Sequence, residues 1–541
     1  MPTTALALRG ATAAALATAT ALTLTVAAPS DATDSGSALA PRTHFTMTPD
    51  GRSGLTQGGE GIPNIDIVKS TIRTYYHAPN GIADKAASPY ISEMKALEAA
   101  QWSSLDRARK VAERAHHKPA IVFDADDTTL WTYDMEDAAM HFNFDPALQN
   151  VWVQEERFPA TPGMVDFVNR ARKRGFAVFG ITGRNDDQKT ATLGNLRKVG
   201  YKPFKAKNFY TKWTGTGASQ QPSYVTCRAK CTTVEFKANT RKHIESLGYR
   251  IVLNVGDQWS DLQGGYADRV LKLPNPTYFL PSPDLDGSPA DAAFSPRSEF
   301  TMLADGSSGL TEGGEGIPNI DIVKSTIRAY YNATNGIANK DSSPYISEMT
   351  AVAQAKTAEL EQTCATAKAA GDNPAIVFDA DDTTLWTYDM EDGAMHFNFD
   401  PVLQDTQWVQ PEKFPATPGM VSLVNAVGGA GCAVVGLTGR REPQRDATLA
   451  NLAKVGYTEF TPGLYFTKWA SGATPDPTIY AGTPCANNTG CSTIDYKSAV
   501  RRYVESQGYD IVANFGDQFS DLIGGHADRT VKLPNPTYYL P

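Results

Sequence analysis

Short apolar runs alternate along the chain with segments whose apolar residues recur every three or four positions. Residues 120–123, 176–181 and 249–255 are apolar almost throughout, the pattern of strands buried on both faces. Ile65, Val68, Ile72 and Tyr75 have the spacing of one helix face. So do Leu193, Leu196 and Val199, after which Gly200 supplies a stop. Strands alternating with helices predict an α/β fold, a parallel sheet flanked by helices on both sides. In such sheets ligands bind beyond the carboxyl ends of the strands.

The whole pattern occurs twice. Residues 61–76 read GIPNIDIVKSTIRTYY and residues 316–331 read GIPNIDIVKSTIRAYY, an offset of 255. Residues 118–149 and 373–404 differ at three positions only. The offset is 256 at Thr182 and Thr438, and 260 from Asp257 and Asp517 to the ends at Pro281 and Pro541. A period this long is no solenoid; each copy is large enough to bury its own core. Copy one is assigned to 43–281 and copy two to 298–541. Residues 282–297, rich in Pro, Asp, Ser and Ala, read as a linker.

The first thirty-two residues stand apart. Arg9 is the only early positive charge, and residues 11–28 are uncharged Ala, Thr, Leu and Val. Small residues at 26–28 and 30–32 offer cleavage points, so 1–32 is read as a secretory signal peptide, with an uncleaved anchor helix as the alternative. The cysteines agree with export. Cys227 and Cys231 are close in sequence, as are Cys485 and Cys491, which suggests local disulfides. Cys364 and Cys432 have no counterparts in copy one; they either bridge each other or remain buried thiols. The net charge is −9 and no basic run stands out, which argues against nucleic acid as a partner. No membrane association is expected once the leader is removed, and the oligomeric state is not legible. Asn332 and Asn487 begin matches to the glycosylation acceptor pattern.

The chemistry follows the apolar runs. The first leads into Asp124-Ala-Asp126-Asp127-Thr128, and in copy two into Asp379-Ala-Asp381-Asp382-Thr383. Carboxylates this close repel unless a cation or another countercharge relieves them. The second run ends in Thr182-Gly-Arg184 and Thr438-Gly-Arg440. A hydroxyl and main-chain N–H groups at such a turn suit a phosphoryl oxygen, or simply cap the next helix. The third ends in Gly256-Asp257 with Asp261 and Gly516-Asp517 with Asp521. An oxygen-only donor set without histidine favours Mg2+ over zinc. The balancing base is expected at Lys237 and Lys497, each twenty residues before the third-run aspartate, with Lys212 and Lys468 as runners-up.

Asp124-x-Asp126-x-Thr128, Thr182, Lys237 and Gly256-Asp257-x-x-x-Asp261 resemble the four motifs of the haloacid dehalogenase superfamily, in its order. The stretch GDQWSDL, residues 256–262, is similar to the plant-type acid phosphatases, the vegetative storage proteins and their secreted bacterial relatives. The resemblance covers nearly all of each copy. It implies two tandem Rossmann-like domains, each with a small cap after the first strand. It implies an acid phosphatase acting on small phosphomonoesters. Asp124 would be the nucleophile, Asp126 the general acid and base, and Thr182 and Lys237 the phosphoryl-oxygen ligands. Mg2+ would be held by the Asp124 carboxylate, the Asp126 main-chain carbonyl and Asp257, with Asp261 orienting that shell. In copy two these roles fall to Asp379, Asp381, Thr438, Lys497, Asp517 and Asp521. Asp126 and Asp381 favour ester hydrolysis over dehalogenation, because an alkoxide leaving group needs a proton. Asp127 and Asp382 are expected to face solvent or to cap. The aromatics at 131–144 either stack on a leaving group or pack the cap itself, and His141 and His396 either aid binding or are structural. Phosphoryl transfer to alcohols is the enzymatic alternative; a storage or binding protein with weak catalysis is the other.

Overall fold

The computed structural model describes residues 44–46, 54, 61–227, 231–279, 299–301, 315–487 and 490–540. The expected signal peptide and linker lie outside the described residues.

Copy one runs β1 (His44–Thr46), α1 (Ile65–Tyr76), α2 (Pro89–Arg114), β2 (Lys118–Phe123), α3 (Pro146–Gln154), α4 (Met164–Lys173), β3 (Ala177–Asn185), α5 (Lys189–Lys198), β4 (Phe209–Lys212), α6 (Thr233–Ser246), β5 (Tyr249–Gly256), α7 (Trp259–Leu262) and β6 (Val270–Lys272). Copy two repeats the order with one added helix, α13, as β7 (Glu299–Thr301), α8 (Ile320–Tyr330), α9 (Pro344–Ala370), β8 (Pro374–Phe378), α10 (Pro401–Leu403), α11 (Met420–Gly429), β9 (Ala433–Arg441), α12 (Arg445–Lys454), β10 (Tyr465–Lys468), α13 (Pro477–Tyr480), α14 (Thr493–Ser506), β11 (Asp510–Gly516), α15 (Phe519–Leu522) and β12 (Thr530–Lys532).

Each copy builds a five-stranded sheet, ordered β4-β3-β2-β5-β6 in the first and β10-β9-β8-β11-β12 in the second. All neighbours in both sheets are parallel. The three apolar runs are therefore the three central strands. Their double-sided burial follows from the period of two along a strand. Ile121 and Phe123 of β2 join a large core shared with α1, α2 and α4. Ala120 and Val122 face the other way, into a core with Phe236 and Ile244 of α6. In copy two Ile376 and Phe378 point to the first side, and Ala375 and Val377 to the side of α14.

Helix α1 forms where its periodicity predicts. Asn64 caps it by accepting the Asp66 N–H, and Ile65, Val68, Ile72, Tyr75 and Tyr76 are buried. Between β2 and α4 lies the cap segment, which includes a π-helical turn at Met135–Ala139. Strands β1 and β7 join the two copies in an antiparallel pair, with Phe45 opposite Phe300.

All six cysteines are paired: Cys227 with Cys231, Cys364 with Cys432, and Cys485 with Cys491. The local pairings match the sequence reading, and the open question about Cys364 and Cys432 resolves as a bridge from α9 to the start of β9. Among the described residues, no helix is long and apolar enough to cross a membrane.

Candidate active site

The parallel order brings the carboxyl ends of β2, β3 and β5 side by side, and the sequence motifs meet there. Asp124 leaves the end of β2. Asp257 leaves the end of β5, and Asp261 sits on the short helix α7 that follows. Gly256 lets that helix fold back. A Cβ at Gly256 would lie 2.4 Å from the Cβ of Asp261, and one at Gly516 would lie 2.3 Å from that of Asp521. The glycine before each aspartate is thus required by close approach.

Lys237, from α6, reaches into this corner. Its Nζ donates to Asp124 Oδ1 at 2.6 Å and to Asp261 Oδ1 at 2.5 Å. Lys497 donates likewise to Asp379 Oδ1 at 2.6 Å and to Asp521. Burial works against each ammonium, but the facing carboxylates outweigh it and raise the lysine above its ordinary value. The runner-up Lys212 instead donates to the Cys231 carbonyl at 3.5 Å.

Asp257 is held by neutral donors. Gln258 Nε2 and Asn275 Nδ2 donate to its Oδ2 at 2.9 Å each, Tyr278 Oη at 3.0 Å, and Thr128 Oγ1 to its Oδ1 at 3.2 Å. Asp261 accepts the Gln258 main-chain N–H at 2.9 Å.

Three buried carboxylates face one lysine here. Asp124, Asp257 and Asp261 each offer an oxygen within 4.8 Å of the others, and Asp379, Asp517 and Asp521 do the same. Burial raises Asp124 well above the usual carboxylate range; Lys237 opposes the shift, while Asp261 and Asp257 add to it. Asp517 is pushed up to about 6 by burial and by Asp521. A divalent cation would supply the missing positive charge, and hard oxygen donors alone suit Mg2+ chemistry. The cluster therefore fits the metal that the sequence suggests.

Asp126, two residues beyond Asp124, points elsewhere. Arg184 grips it, with Nη2 donating to Oδ1 at 2.6 Å and Nε to Oδ2 at 3.1 Å. Arg184 Nη1 also donates to Thr192 Oγ1 at 2.9 Å. Arg440 repeats the arrangement on Asp381 and Thr448. The arginine side chain is 1% exposed and the Asp126 side chain 26%, so a rigid fork presents a carboxylate that solvent or a ligand can reach. Thr182 is buried, and its Oγ1 accepts the Arg184 N–H at 3.2 Å.

The segments 64–281 and 321–541 match the family described as the HAD superfamily, subfamily IIIB (acid phosphatase). This chain belongs to that family. The stem 28 kDa glycoprotein of Glycine max is 36% identical over 169 residues, covering 30% of this chain and 59% of that protein. Acid phosphatase 1 of Solanum lycopersicum is 30% identical over 181 residues, 31% of this chain and 66% of that one. Vegetative storage protein 1 of Arabidopsis thaliana is 31% identical over 170 residues, 30% and 55%. The chain thus spans about three fifths of the first relatives it matches. The superfamily and plant-type resemblance read from the motifs is borne out, and the family matches twice along the chain.

Three features of this HAD chain narrow the sequence reading or were absent from it. Of the two readings for Asp127 and Asp382, facing solvent or capping, the second holds: they are 3% and 1% exposed. The reason is local. Asp127 takes the left-handed backbone conformation, φ 44°, and turns its carboxylate inward to accept the Thr132 N–H at 3.0 Å and the Thr132 hydroxyl. It therefore caps a turn from the inside. Burial and the neighbouring Asp257 push it up to about 8. Second, the cap aromatics divide. Trp131 and Tyr133 are core, packed on Tyr90 and Tyr76 at centroid distances of 5.1 and 4.0 Å. Phe144 and Phe399 stand 65% and 62% exposed, and Phe399 lines a cavity of about 730 Å3 with Asp379, Asp381, Arg440, Lys468 and Lys497. The His141 and His396 side chains are exposed. Third, sequence reasoning gave no role to Arg184, Asn275 or Tyr278. Their one signal was repetition: Thr-Gly-Arg and Leu-Pro-Asn-Pro-Thr-Tyr recur unchanged in copy two.

Proposed function

We propose that the chain is a secreted, Mg2+-dependent acid phosphatase with two working sites, hydrolysing small phosphomonoesters through an aspartyl-phosphate. The observation that carries this reading is the buried acid cluster bridged by a lysine, with a separate arginine-held aspartate two residues past the first. It occurs once in each copy. Ester hydrolysis needs a nucleophile and a proton donor that do not neutralise each other, and the two aspartates are kept apart by different cations.

In the first step an Asp124 oxygen attacks phosphorus while the ester P–O bond breaks, and Asp126 gives its proton to the leaving oxygen. In the second step Asp126 takes a proton from the attacking water, the bond from phosphorus to Asp124 breaks, and inorganic phosphate leaves. Thr182 and Lys237 hold the phosphoryl oxygens as charge shifts onto them. Lys237 also keeps Asp124 aligned with Asp261. Bound Mg2+, held by the Asp124 carboxylate, the Asp126 main-chain carbonyl and Asp257, with Asp261 orienting those ligands, would neutralise phosphoryl charge. In copy two the same work falls to Asp379, Asp381, Thr438, Lys497, Asp517 and Asp521.

Secretion is part of the proposal. It rests on the apolar leader at 1–32 and on three disulfides, which persist in oxidising compartments. The tandem boundaries 43–281 and 298–541, with a linker at 282–297, belong to it as well.

The test is phosphate release from an aryl phosphate by the chain lacking residues 1–32, with Mg2+ and with chelator. Asp124→Asn and Asp379→Asn should each remove one site's share of turnover, and the double variant should remove all of it. Turnover that survives the double variant would refute the assignment. With excess alcohol present, an alkyl phosphate product in place of inorganic phosphate would mark a transferase instead.

A further inference from the structure

The loop that holds Asp257 is itself held by the other copy. Asn319, the N-cap of α8 in copy two, donates from Nδ2 to the main-chain oxygens of Asn275 at 3.0 Å and Tyr278 at 2.7 Å. Ile320 N donates to Pro276 O at 2.9 Å, and Asp321 Oδ2 accepts the Phe279 N–H at 3.1 Å. Asn275 and Tyr278 are the residues whose side chains fix Asp257.

The contacts are reciprocal, as in an isologous interface. Asn64 of copy one donates to Asn535 O at 3.1 Å and Tyr538 O at 2.6 Å; Ile65 N donates to Pro536 O at 2.9 Å; Asp66 accepts the Tyr539 N–H at 3.2 Å. Asn535 Nδ2 in turn donates to Asp517 Oδ2 at 2.8 Å. Asp66 also lines the cavity over the copy-two site.

A second clasp reaches the opposite cap. Lys324 Nζ donates to Phe142 O, and to Asn143 Oδ1 at 3.0 Å; Lys69 does the same to Phe397 O. Phe142 and Phe397 sit at φ 59° and 60°, a conformation that L residues hold only when their surroundings impose it. The buried lysine of the other copy is part of that imposition.

We propose that each active site is completed by the other copy. Asn319 is a positioning residue for the site of Asp124, and Asn64 for the site of Asp379. The proposal rests on the phosphatase reading above for its catalytic consequence only.

The test exchanges effects between copies. Asn319→Ser and Asn64→Ser keep a good N-cap but lose the amide donor. Each is placed in the Asp379→Asn background, where only the first site turns over, and in the Asp124→Asn background, where only the second does. Two readouts are taken: hydrogen exchange of residues 273–279 and 533–540, and the Mg2+ concentration that half-saturates turnover. Asn319→Ser should speed exchange at 273–279 and raise half-saturation of the first site about tenfold, the lower end for partners behind a metal ligand. Its effect on the second site should be much smaller. Asn64→Ser should do the reverse. An effect confined to the variant's own copy, or equal at both sites, overturns the proposal. So does faster exchange with unchanged Mg2+ dependence, which would make the contacts merely structural. If neither single-site parent turns over, the phosphatase reading fails, while the exchange data still decide whether each copy holds the other's loop.

Discussion

Lys237 is the sole cation bridging Asp124 and Asp261 among the described residues, and its removal should expose what it balances. The substitution is Lys237→Met, which keeps the length of the side chain and loses the charge. Both ion-pair distances are at or below 2.6 Å, and all three side chains are at most 8% exposed, so solvent can do little to replace the ammonium. Stranding buried charges by removing one partner costs about 3–5 kcal/mol. The cost should depend on pH, and the sign can be worked out. Burial already raises Asp124 above its unfolded value, and without the lysine it rises further. A carboxyl raised on folding contributes fully below its unfolded value and loses that contribution as pH climbs through the folded one. The variant should therefore approach the parent in acid and fall behind it as pH rises, with added Mg2+ recovering part of the loss. The catalytic effect is separate: losing one fixed donor to the phosphoryl oxygens should lower kcat about 100- to 1000-fold. Urea midpoints across pH, with and without Mg2+, and kcat in the Asp379→Asn background measure the two. A midpoint difference independent of pH, or a kcat within threefold of the parent, would refute the argument.

Arg184→Lys replaces a two-pronged grip on Asp126 by a point charge, and kcat should fall about tenfold. The loss should be greater for alkyl than for aryl phosphates, because the poorer leaving group depends more on the proton; equal losses would detach Arg184 from proton transfer. Asp127 is raised from 3.8 to about 8, so the metal-free protein should lose stability as pH rises across that range. Asp127→Asn should flatten this dependence in thermal melts with chelator, each unit of the shift being worth about 1.4 kcal/mol. The Cys364–Cys432 bridge closes a sequence separation of 68 in copy two alone. Breaking it by Cys364→Ala with Cys432→Val should cost about 4 kcal/mol in copy two, read as faster hydrogen exchange across that copy.

Much of this was legible in the chain because it is local. Strand β2 announces itself as four apolar residues ending in an aspartate, and α1 by Ile65, Val68, Ile72 and Tyr75 on one face. Asp257 and Asp261 follow a strand and a glycine, so their place at the sheet edge needs only the parallel order. What the sequence hid depends on distant partners. Asp127 looks like any acidic turn residue, and only its left-handed backbone and the facing Thr132 turn it inward. Arg184 is next to a motif threonine, but its fork closes on Asp126, 58 residues away. Asn319 reads as a plain helix cap; nothing nearby tells that its other amide atom grips a loop 44 residues back. The aromatic segment divided for the same reason, since burial of Trp131 is decided by Tyr90 on α2.

The reciprocal grip of α1 and α8 also bears on dilution. Two separate chains holding each other by a few hydrogen bonds and a short strand pair would part at low concentration. Here both partners lie on one polypeptide, so each meets the other at an effective concentration of about millimolar however few molecules surround it. Duplication within a single chain thus preserves the reciprocal grip at any dilution, and it fixes the ratio of the two sites at one to one.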